Sequence, residues 1–209
     1  SFYVAEEIPV VDEDFYFMVP VFMQSVFGTG IDLPLARFAD YTDFDEAIAD
    51  YEAEPDLRVI FENGANPEVA PGAPQGTFEA HFDAWPIPGT EVSRWYFHPG
   101  GVLTQDPPGP DDGASVWEHD PAAGDRTTLA SGGVDGLLPN WDWRQPDPGK
   151  ALSFVTAPLA QDMVLIGHGS VDLWLRSDAE DADIEVAITE VRPDGMESYI
   201  QCGWLRASH

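Results

Sequence analysis

Four acids, Asp178, Glu180, Asp181 and Asp183, crowd into the short stretch that precedes "IEVAITEV". Carboxylates at that density can gather a hard divalent cation, because calcium takes several oxygen ligands at once. The spacing does not fit an EF-hand loop, which needs a glycine at its centre and a glutamate at its end, so solvated loop acids are the competing reading. No metal site is assigned. Serine chemistry needs a nucleophile on a strained strand-to-helix elbow, yet no G-x-S-x-G occurs, and "ASGGV" lacks the surroundings. The histidines at 81, 98, 119, 168 and 209 show no H-E-x-x-H or related ligand spacing. Ser170 follows His168 in "IGHGS", but neighbours two apart on a strand share a face without being hydrogen-bonded. "GGVL" and "SGGVDG" do not open a helix after a strand, as a phosphate cradle must. The chain therefore contributes no catalytic residue that its sequence reveals, and no cofactor is implied.

The elements that would position any such residue depend on composition first. The 209 residues are 44% hydrophobic and 12% aromatic, which permits a buried core, so the net charge of −29 does not imply disorder. Basic residues number nine, with Lys150 the sole lysine, which leaves no patch to neutralise a phosphate backbone or an anionic bilayer. Nucleic acid and membrane are not expected partners. No apolar run approaches the ~20 residues of a membrane span. Acids are spread along the chain, the pattern of a solvated acidic surface. Cys202 is the single cysteine, so neither an intrachain disulfide nor a cysteine-rich metal site can form. The compartment stays open. The opening "SFYVAEEIPVVDEDFYFMVPVF" reads as the interior of a protein.

Two regions differ in pattern. In "YTDFDEAIADYEAEP", Thr42 or Asp43 can cap a helix, Asp45 and Glu46 suit its first turn, Phe44, Ile48 and Tyr51 share a face, and Pro55 ends the run. "LRVIFENG" follows as a buried strand, so helix and strand form an α/β unit. "FMVPVFMQSVFG", apolar on nearly every side, predicts a buried helix interrupted near Pro20. From residue 66 to 92 the prolines at 67, 71, 74, 86 and 88 predict an extended connection. After Ser93 helical periodicity ceases. "SRWYFH", "ASVWEHD", "LSFVTAPL", "MVLIGHGSVDLWLRS", "DIEVAITEV" and "ESYIQCGWLRAS" are strand candidates of a sandwich or jelly roll. In the fifth, Ile184, Val186 and Ile188 alternate with Glu185 and Ala187, Val191 falls out of phase and predicts a bulge near Thr189–Glu190, and "RPDG" supplies a turn.

From about Leu57 to His209 the chain resembles the C-terminal half of the cocaine esterase and Xaa-Pro dipeptidyl-peptidase class of serine hydrolases, the CocE/NonD type. The resemblance is carried by an ordered series: "RVIFENGA", "FDAWPIPG", "RWYFHPGGVL", "WEHDPAAG", "SGG", the long run from "LSFVTAPL" to "VRPDG", and "GWLRASH". It implies a mainly β fold: a jelly-roll sandwich of galactose-binding-like shape, preceded by the last helix and strand of an α/β-hydrolase domain. On that mapping residues 1–65 close the hydrolase domain, 66–92 connect, and 93–209 form the jelly roll, cut short at its end. The Ser-Asp-His triad of the family would lie before Ser1, so the expected partners are the upstream and downstream remainder of a hydrolase chain. The expected substrate is a small ester, amide or Xaa-Pro peptide.

One stretch could still reach that substrate. "SGGVDGLLPNWDWRQPDPG" sets Leu137, Leu138, Trp141 and Trp143 on a loop bounded by glycine and proline, the composition of an acyl or prolyl pocket wall, and the family's jelly roll contributes such a loop. The same side chains could instead plug the end of a sandwich. The alternative function is a non-catalytic carbohydrate-binding module, which would need Trp141 or Trp143 facing solvent to stack on a sugar ring.

Overall fold

A computed structural model of the chain describes residues 2–27, 36–61, 66, 76–123 and 142–208. Among the described residues three helices, α1 (Phe2–Ala5), α2 (Glu13–Phe27) and α3 (Phe44–Ala53), lead. Seven strands follow among the described residues: β1 (Leu57–Phe61), β2 (Phe78–Phe82), β3 (Tyr96–His98), β4 (Val102–Thr104), β5 (Asp142–Trp143), β6 (Asp183–Val191) and β7 (Glu197–Arg206). The chain is mainly β.

The punctuation of α3 is the expected one. The Asp43 side chain accepts the Glu46 amide at 3.0 Å, Asp45 and Glu46 occupy the first turn, and the Glu54 amide donates to the Tyr51 carbonyl just before Pro55. Its inward stripe is centred on Ala47, which is fully buried against Phe2 and Phe38. Phe44 and Ile48 pack against the same cluster, and the Tyr51 ring sits 5.2 Å from that of Phe2. A small residue at the centre of the stripe lets those aromatic rings come close to the helix axis.

The helix α2 forms but departs from the buried, interrupted element that its composition predicts. It runs through Pro20, since a proline inside a helix withholds a donor without having to end the run. Phe15, Phe17, Met18 and Val21 are all more than half exposed. Hydropathy registers a preference for cover but not which element supplies it. β1 is likewise one-sided and not buried throughout: it alternates half-buried and exposed positions, with Ile60 65% exposed. Its partner is β2, which lies inside the proline-rich stretch. The two are antiparallel from Leu57↔Phe82 to Phe61↔Phe78, with the Phe61 and Phe78 rings stacked at 4.9 Å and Arg58 forked onto Glu79 at 2.6 and 2.9 Å.

β3 and β4 make a short antiparallel hairpin through Gly100 and Gly101, whose φ values of 80° and 77° need glycine. The hairpin is tied to a distant segment. The Val155 amide donates to the Gly101 carbonyl at 2.8 Å, the Leu103 amide to the Val155 carbonyl at 3.0 Å, and Phe97 packs on Phe154 with centroids 4.5 Å apart.

The third sheet is antiparallel in the order β5-β7-β6. A bulge is present, one position before the expected Thr189–Glu190, as a register shift between Ile188 and Thr189. The turn is closed by the Gly195 amide on the Arg192 carbonyl and the Arg192 amide on the Met196 carbonyl, both at 2.9 Å, with Gly195 at φ 81°. Ile184 and Val186 face inward as expected, but Ile188, beside the bulge, is 45% exposed. Of the other strand candidates, "ASVWEHD" and "MVLIGHGSVDLWLRS" pair with nothing as a ladder among the described residues, and "LSFVTAPL" contributes a single bridge, Val155 to Val102.

Candidate functional site at the β5–β7 junction

Of the four predicted pocket-wall residues, Trp143 is placed, while Leu137, Leu138 and Trp141 lie outside the described residues. Trp143 is half-buried on β5, opposite Glu197, with Asp142 opposite Ser198. Its ring meets that of Tyr199 at 5.1 Å and 52°, a tilted pair. The Gln145 amide donates to the Gly195 carbonyl at 3.2 Å, a second tie between the strand's exit and the β6–β7 turn.

Beneath this junction lies a buried polar group that sequence reading did not single out. Arg192, Glu197 and Ser198 are 9%, 6% and 1% exposed. A cation that deep must be paired and hydrogen-bonded, and the Arg192 fork does both: Nη1 donates to Ser198 Oγ and Nη2 to Asp194 Oδ2, each at 3.1 Å. The Met196 amide, together with that guanidinium, holds the Asp194 carboxyl below the ordinary aspartate range. Thr189 Oγ1 donates to Glu197 Oε2 at 2.8 Å across the bulge. The hydrogen bond between Tyr199 and Cys202 raises the Tyr199 phenol above its usual value. The available signal was an arginine beside a turn aspartate in a chain with only nine bases, but "RPDG" registers as a turn and nothing more.

The other candidate groups resolve into structural contacts. Asp183 accepts Arg206 in a fork at 2.8 and 3.1 Å, which lowers its carboxyl, and Asp181 accepts the Ser208 hydroxyl at 2.8 Å. Two of the four clustered acids thus close the open end of the β6–β7 ladder. Among the described residues no three His, Cys, Asp or Glu side chains converge as metal ligands, and no helix is long and apolar enough to cross a membrane. His168 and Ser170 are both exposed, with no ladder around them.

His98 has more neighbours. Its Nε2 lies 3.0 Å from both Thr104 Oγ1 and the Asp106 carbonyl, and its Nδ1 lies 3.3 Å from Asp112 Oδ2. A hydroxyl, an imidazole and a carboxylate in line suggest a relay, but Thr104 Oγ1 also accepts the Asp106 amide at 3.3 Å and shares the ring nitrogen with a carbonyl. The group clamps its own loop onto the hairpin. Open grooves lie elsewhere: one of about 560 Å³ along Glu91, Ser93, Arg94, Tyr96 and Gln105, and one of about 400 Å³ around the Lys150–Asp120 ion pair. Neither groove includes Trp143.

The described elements define a mainly β domain of short antiparallel sheets. Residues 50–209 match the X-Pro dipeptidyl-peptidase C-terminal non-catalytic domain, and the chain belongs to that family. It is the C-terminal type of segment that the resemblance indicated. It is also 34% identical over 130 residues to a protein of Mycobacterium bovis and to one of Mycobacterium tuberculosis, each named "Putative serine esterase". The aligned stretch is 61% of this chain and 20% of either relative, so the chain matches about a fifth of their length. No solved structure matches the chain significantly.

Proposed function

We propose that this chain is the accessory β-domain of a serine hydrolase acting on acyl esters or amides, Xaa-Pro peptides among them, and that it shapes the substrate pocket without supplying the nucleophile. The observation that carries this reading is the match of residues 50–209 to a C-terminal non-catalytic domain of a dipeptidyl-peptidase. The identity to two proteins named "Putative serine esterase" supports including esters in the range. In the parent, a serine activated by histidine and oriented by aspartate would attack the acyl carbon, all three supplied from outside these residues. The finer architecture belongs to the same proposal: residues 1–65 end an α/β-hydrolase domain, 66–92 connect, and 93–209 form a jelly roll. The capped helix α3 running into β1 and the antiparallel β5-β7-β6 sheet are compatible with that division.

Leu137, Leu138, Trp141 and Trp143 would form one wall of the pocket. An apolar, aromatic wall contributes by excluding water from the acyl or prolyl group and by fixing its position, which acts on KM and on substrate preference more than on the chemical step. The half-burial of Trp143 and its ring contact with Tyr199 support this reading. The test is Trp143→Ala in the full-length encoded protein, assayed on p-nitrophenyl esters and Xaa-Pro anilides. The reading expects a changed KM or altered preference with folding intact. Lost stability with unaltered kinetics would contradict it and make Trp143 a plug of the sheet.

A further inference from the structure

Among the described residues the strand that carries Trp143 spans two positions, and two ladder pairs give it little hold on its own register. Its two ladder partners, Glu197 and Ser198, are the first residues of β7 and are both buried. Ser198 in turn receives one arm of the Arg192 guanidinium, and the other arm is held by Asp194 in the turn between β6 and β7. We infer that Arg192 is a positioning residue for Trp143: its fork fixes the start of β7, on which β5 is registered, and so sets where the indole stands relative to a substrate. The inference rests on the pocket-wall reading for its functional consequence, though not for the mechanical link itself.

The choice of arginine is physically specific. Two acceptors on residues six and two positions away are bridged by one side chain, and a planar fork holds both in a fixed geometry that the freely rotating donors of an ammonium do not impose. The turn also carries two backbone hydrogen bonds at 2.9 Å and a hydrogen bond from the Met196 amide to the Asp194 carboxylate. Those bonds shape the turn but do not reach Ser198. Gln145 on the Gly195 carbonyl ties the exit of β5 to the same turn, so a displaced turn would move β5 at both ends.

The test uses the full-length encoded protein labelled with 5-fluorotryptophan, with the resonance of position 143 assigned by its disappearance in Trp143→Ala. Arg192→Lys and Arg192→Met should each shift or broaden that resonance. Both should raise KM by about the factor seen in Trp143→Ala, roughly three- to tenfold, with kcat within about twofold. The double variant Arg192→Met/Trp143→Ala should show no rise beyond Trp143→Ala alone, because the two act in one chain of contacts. Should Arg192→Met fail to fold, Arg192→Lys keeps a charge opposite Asp194 and carries the same comparisons. An unmoved resonance in the Arg192 variants overturns the positioning role, whatever Trp143→Ala does. KM effects of Arg192 and Trp143 that simply add also overturn it. A moved resonance with unchanged KM in every variant, Trp143→Ala included, overturns the pocket-wall reading while leaving the mechanical link in place.

Discussion

Gly101 is the position at which a single methyl group should do disproportionate harm. A Cβ there would stand 2.7 Å from the Ser153 carbonyl oxygen, a backbone atom that cannot swing aside, whereas a Cβ on Gly100 meets nothing within 4 Å. Both residues have positive φ, 80° at Gly100 and 77° at Gly101, so both alanines carry the left-handed strain of about 1–2 kcal/mol. Only at Gly101 must the hairpin also part from the 153–155 segment. That loses the Val155–Gly101 and Leu103–Val155 hydrogen bonds, worth about 0.5–1.5 kcal/mol each. Gly101→Ala should therefore destabilise by roughly 2–5 kcal/mol and Gly100→Ala by about 1–2 kcal/mol, read from urea midpoints at constant m. Equal losses from the two alanines would refute the docking of the hairpin on Val155, since strain alone would then account for both.

Three further outcomes follow from charge. With 38 acids against nine bases, self-repulsion opposes the compact state, so the thermal midpoint should rise between low salt and molar potassium chloride; a flat or falling midpoint would remove this account of the composition. Asp183 is held low by Arg206, Glu79 by Arg58, and Asp194 by the Met196 amide and Arg192. A carboxyl whose folded pKa is depressed stabilises fully above its unfolded value, near 4, and loses that contribution as pH falls through the folded value. Protonation below about pH 4 removes these contributions while it relieves the self-repulsion, so the pair is read by difference: Arg206→Met should lose less stability on acidification than the unaltered protein, and equal losses would show that the Asp183 pair contributes nothing. Tyr199, raised by its Cys202 contact, works in the opposite sense, with a contribution complete below about pH 10 and lost above it.

What the sequence made legible were features decided over a few residues. Of the two candidate caps, Thr42 and Asp43, it is Asp43 that accepts the Glu46 amide, and Gly195 with Pro193 dictates a turn whatever surrounds it. The bulge at Ile188–Thr189 was visible because one residue out of phase in an alternating strand has nowhere else to go. Pairing was not legible. β1 finds its partner inside a proline-rich stretch, and "MVLIGHGSVDLWLRS" has the composition of a strand without forming a ladder among the described residues. Propensity specifies that a segment suits a sheet, not which segment lies beside it. The same gap hid the site's support: Arg192 and Ser198 meet only because the hairpin folds back on itself, and no spacing rule marks a guanidinium that will be buried. Exposure of α2 is the converse case, in which the helix was legible and its surroundings were not.

The central claim is that hydrolysis belongs to the parent and not to this domain. It is tested most directly by treating the full-length encoded protein with a fluorophosphonate probe and mapping the labelled peptide by mass spectrometry. In parallel, residues 1–209 alone are treated with the probe and assayed on p-nitrophenyl esters and Xaa-Pro anilides. The account predicts stoichiometric label on a serine outside residues 1–209, with no label and no turnover from those residues alone, because none of their serines lies in a G-x-S-x-G sequence. Label on any serine within the chain, Ser170 beside His168 or Ser198 above Arg192 included, with turnover lost on its substitution, would contradict it.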